Sequence, residues 1–280
     1  MNIRLLIAAM AFALAGFACG GDITLPDVPT AGPEIVDQIR VPAPAVGAAR
    51  LTISFGAGEL KLAPGASNLV DGTATYNLEE LKPEIVADGV NIEIKQGGLL
   101  KLVEPRGLKS VWDFKLGSSP MDLSINAGAY EGDFELGGLP LTGLTVKDGA
   151  AAVDLSFAEP NPSAMTVFRY ETGASKVTMT GLANANFSTM IVNSGAGEYK
   201  LDFSGDLQRD ATITISTGLS GLTLVIPEGV AANVTAETGF SNIKAGPSWS
   251  QDGNRYSQTG TGPVLTFVVK AGAGTLTLAE

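Results

Sequence analysis

The 280-residue sequence predicts an all-β protein, a solenoid-like stack of about eight glycine-cornered two-strand units, with a β-sandwich as the alternative architecture. Three observations lead there. A short glycine phrase recurs along the chain, apolar and polar residues alternate on both sides of it, and the segment joining the two alternations is too long for a tight hairpin.

The phrases are GAGELKL, GAYEGDF, GAAAVDL, GASKVTM, GAGEYKL, GLSGLTL, GFSNIKA and GAGTLTL, beginning at Gly56, Gly128, Gly149, Gly173, Gly195, Gly218, Gly239 and Gly272. Successive steps from Gly128 are 21, 24, 22, 23, 21 and 33 residues, so one unit is roughly 22 residues, the range of stacked-repeat architectures. Three residues before each glycine stand Ile53, Ile125, Val146, Tyr170, Val192, Ile215, Ala236 and Val269. The position five before is likewise apolar or aromatic in every unit, from Leu51 to Phe267, and the position two before is polar in every unit. Beyond the glycine the pattern resumes. The sixth position is Leu62, Phe134, Leu155, Met179, Leu201, Leu224, Ala245 and Leu278, and the fifth is always polar. A period of two places successive side chains on opposite faces, which is the signature of a strand.

A glycine at the corner has two physical explanations: a side chain colliding with the neighbouring coil about 4.8 Å away, or a positive φ. Six residues separate the last inward position before the corner from the first one after it, too many for a two-residue hairpin. Stacked coils fit that spacing better than a meander, and the sandwich stays open as the alternative.

The domain therefore runs over residues 48–280, with insertions near 66–117 and 246–263. Within the first insertion NIEIKQ alternates as a strand, Leu78 to Leu81 form a turn, and Trp112 with Phe114 supply core. Within the second, SQDGNRY marks a hairpin turn. Exposed ends of a stack recruit other chains unless covered, so both insertions are expected to act as caps or flaps.

Residues 1–18 have one early positive charge (Arg4), an apolar run from Leu5 to Ala15, and small residues before Cys19. That is the three-part pattern expected of a secretory signal peptide, and the run is well short of the roughly 20 apolar residues of a spanning helix. The stretch GFAC resembles a bacterial lipobox, with Gly16 where that pattern usually has Leu. The resemblance implies lipidation of Cys19, and the lone cysteine of an exported chain has no internal disulfide partner. Residues 19–47, rich in Gly, Pro and Ala, are expected to form a flexible lipid-anchored linker with one short helical turn around Glu34 to Ile39. The expected location is the outer face of a cell membrane or the envelope, with simple secretion as the alternative.

The net charge is −11, and removal of residues 1–18 takes Arg4 with it. An acidic chain without a basic cluster disfavours nucleic acid as a partner. There is no histidine, which removes Ser-His-Asp and Cys-His nucleophiles and the usual zinc ligands.

The run LTISFGAGELKL, then TYNLEELKPEIV, NIEIKQ, VWDFKL, PMDLSINAGAYEGDFELGG and a closing GAGTLTL resembles the bacterial toast-rack envelope proteins. These are similar to the C-terminal domain of LiaF-like cell-wall-active antibiotic response proteins and to adhesin-like β-solenoids. The resemblance covers most of residues 48–280. It implies a β-stack on a lipoprotein tether and supplies no catalytic residues.

Chemistry sought independently of that resemblance yields three weak acidic groupings. Asp133 with Glu135, or Glu79 with Glu80, are the carboxylate pairs a glycoside hydrolase would need. The first pair is expected on an outward strand face and the second in a solvated turn. Asp202, Asp206 and Asp210 share one loop region, without the repeated signature of a calcium-binding solenoid. The sequence thus predicts no catalytic residue, no metal site and no cofactor, and leaves the ligand-binding residues unknown. Two functions remain: a non-enzymatic binding or scaffold module for a protein or wall polymer, or an extracytoplasmic partner in an envelope-stress response.

Overall fold

The computed structural model describes residues 31–97, 107–237 and 239–280, and most of these residues are in strands. Seven long strands carry the recurring glycines: β2 (Ala49–Ala66), β7 (Met121–Glu135), β8 (Leu141–Ser156), β9 (Met165–Thr180), β10 (Phe187–Asp202), β11 (Ala211–Val225) and β16 (Gly260–Ala279). The others are β1 (Ile35–Val41), β3 (Val70–Tyr76), β4 (Pro83–Asp88), β5 (Asn91–Gln96), β6 (Ser110–Gly117), β12 (Gly229–Glu237), β13 (Phe240–Ala245), β14 (Trp249–Asp252) and β15 (Arg255–Gln258).

Strand length decides between solenoid and sandwich. β7 to β11 are consecutive parallel neighbours in register. A straight 15-residue strand such as β7 would be about 50 Å long. The connection from Glu135 to Leu141 has only residues 136–140 and reaches roughly 18 Å. Each long strand must therefore fold back on itself near its glycine so that its two ends meet. The result is a coil of two arms with a bend between them.

The alternation read from sequence lines the inside of this coil. Ile213 and Ile215 before the bend, and Leu222 and Leu224 after it, are all buried. The inward set also extends into the connections after β7, β8, β10 and β11, where Leu136, Phe157, Phe203 and Ile226 are buried. Aromatic contacts tie layers together, with Phe203 and Phe267 ring centroids 5.0 Å apart and perpendicular. Buried asparagines satisfy the connecting backbone: Asn161 accepts from Leu141 N and Ser163 N and donates to Leu141 O and Ala185 O.

The spatial order differs from chain order at both ends. The last repeat, β16, inserts beside β11, and the preceding unit, β12 with β13, lies outside it. At the other end β5 pairs with the first arm of β2 and β6 with the second. The first insertion therefore contains a further, divided coil, with Ile92 on Leu51 and Trp112 on Leu60. A divided coil terminates the stack at each end, and antiparallel strands extend it: β3 and β1 beyond β6, β4 beyond β5, and the β14–β15 hairpin beyond β12. This covers the long parallel edges that β2 and β16 would otherwise expose.

Two expectations need correction. The segment Glu34 to Ile39 is not a helical turn: Ile35–Val41 is strand β1, paired antiparallel with β3. Its alternate residues Ile39 and Val41 are buried, a period-two pattern that a helix would not bury. The ordered domain consequently begins upstream of residue 48, and a linker running unbroken to residue 47 is too long.

Collision with the neighbouring coil explains most of the corner glycines, whereas Gly239 also has a left-handed φ of +94° and Gly149 a looser approach. A Cβ on Gly195 would lie 2.4 Å from the carbonyl oxygen of Gly173 in the next coil, and one on Gly173 would lie 2.5 Å from that of Gly149. Both keep negative φ, so close approach and not left-handed geometry requires them.

Candidate functional site

Cys19, the one residue with a specific expected chemistry, lies outside the described residues. The acidic groupings are placed apart from any shared centre. Asp133 faces solvent, while the Glu135 carboxylate braces the connection after its strand, accepting from Gly137 N at 2.6 Å, Ser156 Oγ at 2.6 Å and Ala158 N at 3.1 Å. Glu79 and Glu80 are exposed on a single 3-10 turn, with Glu79 3.8 Å from Lys82 Nζ. Asp202 caps Ser204 N and Asp210 accepts from Val264 N, so these loop acids serve separate backbone groups. Among the described residues no three acidic, histidine or cysteine side chains gather as a metal site.

What the sequence columns missed is the inside of the bend. Inward-facing positions continue one step closer to the glycine, at one before it and two after it. There the central coils replace apolar residues with polar ones: Asp148 in β8, Thr172 and Ser175 in β9, Ser194 in β10, Thr217 and Ser220 in β11. Extending the period-two count by one inward position, two residues, on each side finds them.

Asp148 organises this interior. Its carboxylate accepts from Tyr170 OH at 2.8 Å and Ser175 Oγ at 3.2 Å, with Tyr130 OH at a longer 3.5 Å. Ser175 Oγ in turn accepts from Ala151 N at 2.9 Å and lies 2.6 Å from Thr172 Oγ1. Burial, reinforced by the adjacent Asp148 carboxylate, holds both Tyr130 and Tyr170 protonated far above the usual tyrosine range. These phenols are donors fixed in place, not proton-transfer groups. In β11 the same positions pair simply, Thr217 donating to Ser220 at 2.7 Å.

An open groove of about 560 Å³ runs along the bends of β8 to β11. Its outward row is Lys147, Glu171, Asn193 and Ser216, which face one another in register from coil to coil. Lys147 Nζ is 3.1 Å from Glu171 Oε2, and Arg169 adds a second contact to Glu171 at 3.5 Å. A second feature is the outer face of the following arms. Lys61, Asp133, Asp154, Thr178, Lys200, Thr223, Thr277 and Lys244 occupy eight successive layers in one register row.

Fold and surface together define a β-solenoid with regular faces and polar bends. The chain belongs to the toast-rack family: residues 30–180 match the N-terminal domain of toast_rack, DUF2154. No curated protein matches it. Solved structures similar to the chain include a "putative cell adhesion protein" from Clostridium sporogenes ATCC 15579, at 19% identity over 88% of this chain and 98% of that one, with a TM-score of 0.47. A "putative adhesin" from Bacteroides fragilis NCTC 9343 is similar at 7% identity over 88% and 97%, with a TM-score of 0.35. A "putative lipid binding protein" from Parabacteroides distasonis ATCC 8503 is similar at 10% identity over 88% and 97%, with a TM-score of 0.34.

Proposed function

We propose that this chain is an exported envelope protein, lipid-anchored through Cys19, that works as a non-enzymatic binding or scaffold module. The observation that carries the reading is the eight-layer row from Lys61 to Lys244. Parallel in-register pairing repeats one side-chain position every coil, about 4.8 Å apart, on a rigid hydrogen-bonded surface. Such a surface suits an extended partner that makes many weak contacts, and the apolar coil interior behind it spends its sequence on rigidity. The acidic side chains support the same reading, since each brace or ion pair described above stabilises a connection or a face.

Proximity labelling from the intact chain on native cells tests this. Labelled wall polymer or surface proteins are the expected result. Turnover of glycans or esters by the purified protein would refute it, and exclusive labelling of a membrane histidine kinase would replace scaffolding with envelope-stress regulation.

A further inference from the structure

The cap built from the first insertion is one strand short on one side. Beyond the divided coil the second arm carries two antiparallel strands, β3 and β1, while the first arm carries only β4. Every residue of β4 after Pro83 is exposed, including Ile85 at 41% and Val86 at 44%. Its pairing with β5 leaves the far edge open. The two-residue turn of Gly89 and Val90 closes on the pair Asp88 and Asn91, and hydrogen-bonded pairs then recur at every second residue, ending with Gly97 N donating to Lys82 O. Ile85 and Ala87 fall between those pairs, so their N–H and C=O groups point away from β5 and have no strand partner among the described residues. Their side chains share a face with the buried Ile94 and Ile92, so the apolar lining of the coil runs out to this edge uncovered. At the opposite end of the stack the open strands β13 and β14 expose polar residues instead, among them Ser241, Lys244, Ser250 and Asp252.

We infer that the β4 edge binds an extended segment of a partner protein, which adds one antiparallel strand and levels the two arms. The inference rests on the binding-module reading and names a protein partner and its place. Shape selects a single extended chain. β1 reaches one strand, about 4.8 Å, further out than β4, so the edge of a second solenoid would meet β1 before it reached β4. Chemistry selects the segment's pattern. Apolar residues at alternate positions would cover Pro83, Ile85 and Ala87, and the N–H that Pro83 lacks is lost only at the strand's end. On the other face Glu84 is held by Lys95 at 3.2 Å, whereas Asp88 has no cation in ion-pair range among the described residues, so a basic side chain opposite Asp88 completes the match. Backbone hydrogen bonds supply the affinity and these alternate side chains the selectivity. A segment this short binds weakly, on the order of 0.1–1 mM.

The test is a nuclear magnetic resonance titration of the isotope-labelled mature chain with the end-blocked hexapeptide Lys-Val-Thr-Val-Lys-Val, whose first lysine falls opposite Asp88 in the antiparallel register, and separately with Glu-Val-Thr-Val-Glu-Val. The first peptide is expected to shift the amides of Ile85 and Ala87 and, at saturation, to slow their hydrogen exchange about tenfold. The acidic peptide should bind about tenfold more weakly. Ala87→Pro removes an outward N–H without touching the pairing with β5, so it should abolish binding with an unchanged melting temperature. The inference is overturned if these amides do not respond, if only other sites shift, if both peptides bind alike, or if Ala87→Pro binds as the parent does. Concentration-dependent dimerisation that Ala87→Pro abolishes would overturn it in favour of a second copy. If it fails in any of these ways while cell-surface labelling still captures wall polymer or surface proteins, the binding-module reading stands without it.

Discussion

Substituting alanine at two corner glycines should give sharply different results, because the corner contacts differ. A Cβ on Gly195 meets the Gly173 carbonyl oxygen at 2.4 Å, where ordinary contact begins near 3.4 Å. The two coils must part by about 1 Å at that point, and backbone on both sides leaves no flexible side chain to yield. Interstrand hydrogen bonds near 2.9 Å would stretch beyond useful range. Losing two of them costs about 2 kcal/mol, and overpacking strain adds about 1 kcal/mol or more. Gly→Ala recovers about 0.4–1 kcal/mol by restricting the unfolded chain. The net loss for Gly195→Ala is about 2 kcal/mol, or roughly 4–8 °C in melting temperature for a domain of this size. At Gly149 the corresponding approach, to Gly128 O, is 3.1 Å, and a shift of a few tenths of an ångström relieves it. Gly149→Ala should therefore be nearly neutral. Thermal and urea unfolding followed by circular dichroism measures both. Equal effects, or a neutral Gly195→Ala, would refute collision as the reason for the corner glycines.

Alkaline pH should unfold the protein through its buried tyrosines. Tyr130 and Tyr170 have folded-state pKa values raised above the unfolded value near 10, so stability is intact below about pH 10 and falls as pH rises beyond it. The slope approaches about 2.7 kcal/mol per pH unit for the pair, and the Tyr130→Phe, Tyr170→Phe variant should flatten it in pH-dependent urea titrations. Asn161→Ala leaves three buried backbone bonds and one part-buried one unmade and should cost about 3–5 kcal/mol, seen as a lowered urea midpoint. Cys19→Ser should move the protein from the membrane fraction to the soluble one, since the lipid chains would supply the membrane affinity at about 0.8 kcal/mol per buried methylene. Retention in the membrane would contradict the anchor.

Legibility from sequence followed the repetition. The alternating columns identified Ile53, Leu62, Ile215 and Leu224 as core because each position is sampled eight times, and the same columns place the coils in register. Trp112 and Phe114 are legible as core but their partner strand is not, because β5 and β6 form one layer only across a long interruption. The insertion of β16 between β11 and β12 left no trace in the repeat, since parallel pairing accepts any unit as a neighbour. β1 is not legible as a strand because its seven residues lie in Pro- and Gly-rich surroundings and are ordered by pairing with β3. The polar bend was legible in principle. Asp148, Thr172, Ser194 and Thr217 stand one before their glycines, where Phe55, Ala127 and Ala271 stand in other units, and this difference sets the groove apart from those coils.

Mass spectrometry of the mature N-terminus from native membranes tests most directly whether this solenoid is displayed on an envelope surface. The account predicts a chain that begins at Cys19 and carries the added mass of a diacylglycerol-type lipid. A chain that retains Met1, or one that begins at Cys19 with an unmodified thiol, would contradict it.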